Sequence, residues 1–544
     1  DDNEYLDFML GFSTMILGNA PEQVEAAIRE ALPRGTHHGQ CHEHEYAFAK
    51  LFCDMVPGVD KVTFCNSGTE ATMYALRLAR GATGRPLVAK FEGGYHGIHD
   101  LLAVSFGRQR PGPDRSGPVE DPATVPESPG LAEGAWKDTI VLPFNHPAAL
   151  DKIRRHGDRL AGVIVEPVQG AAGTIPGDKE FLSELRRITR EMGAFRIFDE
   201  VSTGLRLAPG GAGEFYGVVP DVSTFGKVAG GGLPLGAVGG TAEAMRWMEY
   251  DVDMEHSILV AGTFNGNPLT TAAGTAVLRC LKEEPGLYTR LNAMGDRFRV
   301  EINRFAQEGD YPAIATGVAS MFSMHAVRGP VKSVRDLRGA NRAASAGLGL
   351  LYRKNGLHLT PSHAFLSTAH TDEDTTRLIE VYKGAMEELR AQGVWCSKTS
   401  KSPGVSVVLG STSFVSVPRG AAQRRVGPKR QWTRVFGQTG PASHESQHQA
   451  SGQGKRVLSI VKPTTGGSAT PTTPPTRRST PWWASWGRTS WICPSTTFGH
   501  SWPGGAGPSR HFSSTSRGWR ASATSTSRTR CGRRASIPYA RSTR

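Results

Sequence analysis

Residues 198–232, FDEVSTGLRLAPGGAGEFYGVVPDVSTFGKVAGGG, begin at the end of one short apolar run and contain a second, each followed by charge. The first, Ala194–Phe198, runs into Asp199 and Glu200; the second, Ser223–Phe225, is followed by Gly226 and Lys227. Runs of this length without alternation suit strands buried on both faces. An acid at the carboxyl end of such a strand sits where open α/β sheets place their ligands. Two buried acids are costly unless one meets a cation or a protonated nitrogen. Lys227 precedes Gly230, Gly231 and Gly232. In a desolvated, backbone-crowded place its amine would have a lowered pKa, as a Schiff-base lysine requires.

The same pattern continues outward. Lys61–Cys65, Leu87–Lys90, Thr139–Leu142 and Gly162–Glu166 are further candidate buried strands. Amphipathic segments separate many of them. In Glu180–Met192 the residues Phe181, Leu182, Leu185, Ile188 and Met192 share one face, as in a helix covering a sheet. Strand and helix in alternation predict an α/β fold with a mostly parallel sheet and right-handed crossovers. After Asn267 helices dominate, over about 267–283, 286–307, 337–355 and 373–392, which predicts a second, smaller domain. The Pro-, Gly- and acid-rich stretch Arg108–Gly134 is expected to be a long surface loop near the functional face.

A second chemical signal is Asn66-Ser67-Gly68-Thr69-Glu70-Ala71, after one strand and opening a helix to about Arg80. Its N–H groups and hydroxyls suit a phosphate at a helix start; ordinary N-capping would use the same residues. Phosphate cup, buried acid and buried lysine together match a pyridoxal-phosphate site.

On these residues the chain resembles the class III aminotransferases, and within them the glutamate-1-semialdehyde aminomutase branch. The matching segments are NSGTEATMYALRLARGATGR (66–85), KFEGGYHGIHD (90–100), VIVEPVQGAAG (163–173), residues 198–240, GTFNGNPLTTAAG (262–274) and FLSTAHTDED (365–374), in family order. The resemblance implies a fold type I transferase using pyridoxal 5'-phosphate: a large domain with a mostly parallel sheet plus a smaller α+β C-terminal domain. It implies that Lys227 forms the Schiff base and shuttles the substrate proton, and that Asp199 keeps the pyridine nitrogen protonated. Tyr95, next to His96, would stack on the ring and Val201 support its other face. Ser67, Gly68 and Thr69 would hold the phosphate, reached also by Thr263 of a neighbouring subunit, which implies a homodimer with shared sites. Glu166 and Gln169 would line the pocket, Gln169 meeting the cofactor's phenolic oxygen.

Three departures from the aminomutase branch fall on substrate-facing positions. Ala171 stands where that branch has an Asn, Pro361-Ser362-His363-Ala364-Phe365 replaces a stretch with an acidic residue, and Gly11-Phe12-Ser13-Thr14 replaces a Ser-Trp-Gly-Pro wall. The expectation is therefore aminotransfer between an amino acid or amine and a carbonyl acceptor; the alternative is the intramolecular aminomutase. Phe12 and Ser13 become candidate substrate contacts, Phe12 being equally able to pack in a core. Arg206 could pair a substrate carboxylate, or simply occupy a solvated turn. The cluster His37, His38, Cys41, His42 and His44 has no zinc-finger or zincin spacing, so no metal is expected. Cys65 suits a small buried hydrophobe better than a nucleophile.

Charge divides the chain. Overall, 63 Lys+Arg against 50 Asp+Glu give +13. From Cys396 onward there are 23 Lys/Arg and one acid, Glu445, for +22, which leaves residues 1–395 at −9. The expected organisation is 1–44, an N-terminal segment taken as truncated; 45–275, the cofactor domain; 276–395, the small domain; and 396–544, a basic tail. Rich in Ser, Thr, Arg, Gly and Pro, the tail is expected to be disordered or an out-of-frame translation. Its Arg and Trp content would suit a single-stranded polyanion, yet no recognition motif accompanies it, so nucleic acid is not expected as a partner. A truncated, inactive homologue whose basic tail dominates is the remaining alternative. Seven scattered cysteines favour a reducing, cytoplasmic setting, and no apolar run reaches the roughly 20 residues of a membrane span.

Overall fold

Seven strands pair into one sheet: β1 (Lys61–Cys65), β2 (Leu87–Phe91), β3 (Thr139–Leu142), β4 (Leu160–Val165), β5 (Phe195–Asp199), β6 (Val222–Gly226) and β7 (Gly236–Gly240). Their order across the sheet is β1-β7-β6-β5-β4-β2-β3, and only the β7 pairings are antiparallel. The computed structural model describes residues 3–107, 113–249 and 257–395. The basic tail lies outside the described residues.

Helices cover both faces because successive strand side chains point to opposite sides. Val163 and Val165 of β4 and Phe198 of β5 join a core with Leu182, Leu185 and Ile188 of the helix Lys179–Glu191. Their neighbours Ile164 and Ile197 face the other way, onto Ala71, Ala75, Leu78 and Ala79 of helix α1, Gly68–Thr83. Each such buried Leu, Ile, Val or Phe contributes roughly 1.5–3 kcal/mol.

The C-terminal part comprises the helices Pro268–Glu283, Leu287–Glu308, Arg342–Lys354 and Asp372–Ala391 and a three-stranded antiparallel sheet, Ile314–Val318, Met321–His325 and Ala364–Phe365. The 337–355 expectation resolves into a 3-10 turn, Val334–Gly339, followed by a helix from Arg342. Phe298, Leu348, Tyr352 and Tyr382 share one apolar core with Phe48, Phe52 and Val228 from the first half. Of the Arg108–Gly134 stretch, the described part, 113–134, is less superficial than expected. Glu127 within it is buried, and its Oε1 accepts from Gly107 N at 2.7 Å.

Cys65, Phe91, Val165, Asp199 and Gly226 are the last residues of five parallel strands. The segments that follow them therefore emerge along one edge of the sheet, the edge open α/β folds use for ligands.

Candidate active site

Lys227 begins a 3-10 turn directly after β6, with its own φ at +44°. Its Nζ donates to Ser202 Oγ at 2.5 Å, at the wall of a cavity of about 500 Å3. Burial pushes the amine below its ordinary pKa, against the opposing pull of Glu166 and Asp199.

Asp199, 3 % exposed, ends the adjacent strand. Its Oδ2 accepts from His96 Nδ1 at 2.7 Å, and Oδ1 accepts from Val201 N at 3.1 Å and Thr224 Oγ1 at 3.2 Å. His96 is itself buried, and burial lowers its pKa despite the Asp199 bond. Glu166 lines the cavity with both oxygens engaged, Oε1 by Tyr95 N at 2.7 Å and Oε2 by Gly170 N at 3.0 Å. Burial, and then the Asp199 charge, pushes Glu166 up to about 8.

The Ser67–Thr69 turn closes on the same place. Ser67 caps α1 by accepting from Glu70 N, and a Cβ on Gly68 would stand 2.9 Å from both methyls of Val201. Thr69 packs under Gly97, where a Cβ would come within 2.5 Å of its Oγ1, and Thr72 Oγ1 donates to His96 O at 2.7 Å. Tyr95, 39 % exposed, meets Phe106 edge-on at 5.3 Å. Gln169 is fully buried; its Nε2 donates to Glu92 O at 2.9 Å, while Oε1 has no partner among the described residues.

Tertiary packing thus gathers Ser67, Gly68, Thr69, Tyr95, His96, Glu166, Gln169, Asp199, Val201 and Lys227. Of these, Tyr95, Glu166 and Lys227 line the cavity, and Phe12 lies on the same wall, 61 % exposed, its ring 6.5 Å from that of His363. The structure places the other two expected substrate contacts off this wall. Ser13 is fully buried, its Oγ donating to Ser202 O at 3.4 Å, and it is not on the cavity wall. Arg206 occupies no solvated turn and no cavity wall: fully buried, it donates to Leu366 O and Ser13 O, each at 2.9 Å. Thr263 stands exposed on a loop apart from this cavity.

Residues 10–13 have φ values of +48°, +57°, +57° and +82°. The left-handed region costs roughly 1–2 kcal/mol for each non-glycine residue, so Leu10, Phe12 and Ser13 hold roughly 3–6 kcal/mol of local strain.

Several wall residues carried no sequence signal for this role. Ser202 lies next to the identified Val201, and His363 sits in the replaced acidic stretch. Phe106, Met321 and Val334 arrive only through folding. Burial, then the Lys227 charge, pushes His363 down to about 4, so it is neutral at ordinary pH. Elsewhere, burial pushes the Cys65 thiol up to about 12, which removes it as a nucleophile. His42 caps the helix Glu43–Met55, and no group of three or more His, Cys, Asp or Glu among the described residues could hold a metal.

A strand-end lysine beside a strand-end acid, on one edge of a mostly parallel sheet, is the frame of a fold type I pyridoxal-phosphate enzyme. The chain belongs to the class III aminotransferases: the family described as Aminotransferase class-III matches residues 1–382. It is 40% identical over 393 residues to a glutamate-1-semialdehyde 2,1-aminomutase of Thermomicrobium roseum, covering 72% of this chain and 88% of that one. Among solved structures it is similar to an omega-transaminase from Sphaerobacter thermophilus, with TM-score 0.66, 34% identity, and 71% and 88% of the two chains covered. A beta-phenylalanine aminotransferase from Variovorax paradoxus gives TM-score 0.63 and 32% identity over 72% and 84%.

The cofactor is pyridoxal 5'-phosphate. The residues present fit it. Gly68 leaves no space for a side chain beside Val201, Gln169 keeps a buried amide oxygen without a partner, and the Lys227 amine reaches the cavity. No helix among the described residues is long and apolar enough to cross a membrane.

Proposed function

We propose that the chain is an aminotransferase that moves an amino group between an amine or amino acid and a carbonyl acceptor through a Lys227 Schiff base, and not a 2,1-aminomutase. The supporting observation is the cavity wall. Glu166 is its one carboxylate among the described residues, and backbone N–H groups occupy both its oxygens. Ala171 offers a methyl, and Phe12, Phe106, Met321, Val334 and Phe365 are apolar. An aminomutase retains an intermediate with two amino groups, and a second ammonium finds no open acid here.

When bound, pyridoxal phosphate supplies an aldehyde that condenses with amines and a ring that takes up the electrons left on the substrate's α-carbon. Lys227 Nζ, its pKa lowered by burial and its position fixed by the Ser202 hydroxyl, would hold the group through its aldehyde and would take and return the proton of the substrate's α-carbon. Asp199, oriented by His96 and Thr224, would hold the proton on the ring nitrogen. Ser67, Gly68 and Thr69 bind the phosphate at the N-terminus of α1. Tyr95 and Val201 would cover the two ring faces, and Gln169 would meet the phenolic oxygen.

Thr263 would reach the phosphate held by a second copy, and the working form on this reading is a homodimer. Asn66 Nδ2 donates to Asn265 Oδ1 at 2.8 Å, and Tyr74 OH to Ala261 O at 2.8 Å, so the Thr263 loop is tied on one side to the turn before α1 and on the other to α1 itself. Four free, scattered cysteines among the described residues agree with a cytoplasmic setting.

The test is to supply purified holoenzyme with glutamate-1-semialdehyde and no amino acceptor, and separately with a panel of amines and amino acids. Donor-dependent change of the cofactor absorbance with release of a carbonyl product is expected. Isomerisation of the semialdehyde without an acceptor would establish the aminomutase instead.

A further inference from the structure

We propose that Arg206 is a positioning residue whose buried fork clamps the left-handed turn at residues 10–13, so that Phe12 closes the cavity over an aryl-bearing amine. This rests on the aminotransferase reading above and adds the substrate class.

A fully buried guanidinium normally meets a carboxylate, and no ion pair of Arg206 occurs among the described residues. Its fork is spent on two main-chain carbonyls far apart in sequence, Ser13 O and Leu366 O, each at 2.9 Å, with Ser320 Oγ at 3.3 Å. Each carbonyl belongs to the residue after a cavity-wall aromatic, Phe12 and Phe365. The guanidinium carbon also lies 5.4 Å from the Phe365 ring centre. One side chain therefore sets the spacing of two aromatic walls.

The turn needs holding. Four successive residues, Leu10 to Ser13, have positive φ, and L-residues leave that region unless outside contacts oppose it. Arg206 supplies the contact at the Ser13 end. Asp7 supplies the other, its Oδ1 accepting from Met9 N at 2.8 Å and Leu10 N at 3.0 Å. The result is a large apolar ring held 61 % exposed at the cavity, facing His363 edge-on. A flat aromatic substituent gains edge and face contacts there that a small alkyl group does not.

The experiment compares kcat/KM for 1-phenylethylamine and isopropylamine in holoenzyme of the wild type, Phe12→Ala, Arg206→Lys and the double variant. Wild type favours the aryl donor, and Phe12→Ala lowers the aryl/isopropyl ratio about tenfold, through KM. Lysine keeps the charge and loses the fork, so Arg206→Lys lowers the same ratio in the same direction. The double variant falls no further than Phe12→Ala alone, because both act on one wall. If Arg206→Lys does not fold, Asp7→Ala releases the other end of the turn and is expected to lower the ratio likewise. A ratio unchanged in Arg206→Lys (or in Asp7→Ala, where it substitutes), additive losses in the double variant, or a wild type without aryl preference overturns the proposal and leaves the aminotransferase reading intact. If no donor of the amine and amino-acid panel reacts with the wild type, both fall together.

Discussion

Alanine in place of Gly236 tests how the sheet sets the cofactor site. Gly236 opens β7 and pairs with Cys65 on one side and Gly226 on the other. A Cβ there would lie 2.1 Å from Ser67 O, 2.6 Å from Ser67 C and 2.7 Å from Cys65 Sγ. The first two neighbours are backbone, so no rotamer change relieves them. Ser67 O also accepts the first hydrogen bond of α1, from Ala71 N at 3.0 Å. Making room requires the strand and the Ser67 turn to separate by about 1 Å, and overpacking of this kind costs roughly 1–3 kcal/mol. A displacement near 1 Å in a positioned site costs on the order of 100-fold in rate. Gly236→Ala should thus melt about 2–6 °C lower than the wild type, bind pyridoxal phosphate at least tenfold more weakly, and turn over far more slowly. Melting followed by near-ultraviolet circular dichroism and a cofactor titration by absorbance give the readouts. An unchanged melting temperature together with unchanged cofactor affinity would refute the steric reasoning.

Lys227→Ala should hold cofactor only noncovalently, so borohydride followed by mass spectrometry finds no added cofactor mass; a persistent adduct would place the Schiff base elsewhere. Asp199→Asn should lower kcat about 100-fold or more, the loss of a buried charge-assisted partner worth roughly 1.5–3 kcal/mol or above, with near-wild-type activity refuting its role on the ring nitrogen. Glu200 accepts from Ala212 N, Gly213 N and Thr203 Oγ1, yet burial pushes it up to about 7. The folded apoenzyme therefore holds a proton that the unfolded chain releases above about 4.5. Its stabilising effect is complete below that pH and is lost as pH rises towards 7, by at most about 1.4 kcal/mol per pH unit. Urea unfolding of apoenzyme between pH 4.5 and 7 should show that slope shallower in Glu200→Gln, and an identical slope in both would contradict it.

The six buried strands first sought in the sequence emerge within two residues of the expected bounds, since unbroken apolar runs leave few alternatives. β7 was not legible. Gly-Ala-Val-Gly-Gly has no strand pattern, and its glycines answer to neighbours distant in sequence: Ser67 O at Gly236, Val59 at Gly239 and Asp221 O at Gly240. The candidate cofactor residues Ser67, Glu166, Asp199 and Lys227 were legible because each stands at or just beyond the end of a strand in a motif of its own. The burial of Arg206 was not legible because its partners, Ser13 and Leu366, lie 193 and 160 residues away.

By itself, then, the sequence determined the class of fold, the family and the cofactor chemistry. Those depend on local patterns: an apolar run, then an acid, a lysine or a Ser-Gly-Thr turn. Tertiary structure alone decided the form of the substrate end. There, Phe12, Phe106, Met321, Val334, His363 and Phe365 converge from five segments, and the buried Arg206 guanidinium donates to two main-chain carbonyls. The break in charge near residue 395 remains a property of sequence only, and it marks where the family resemblance ends.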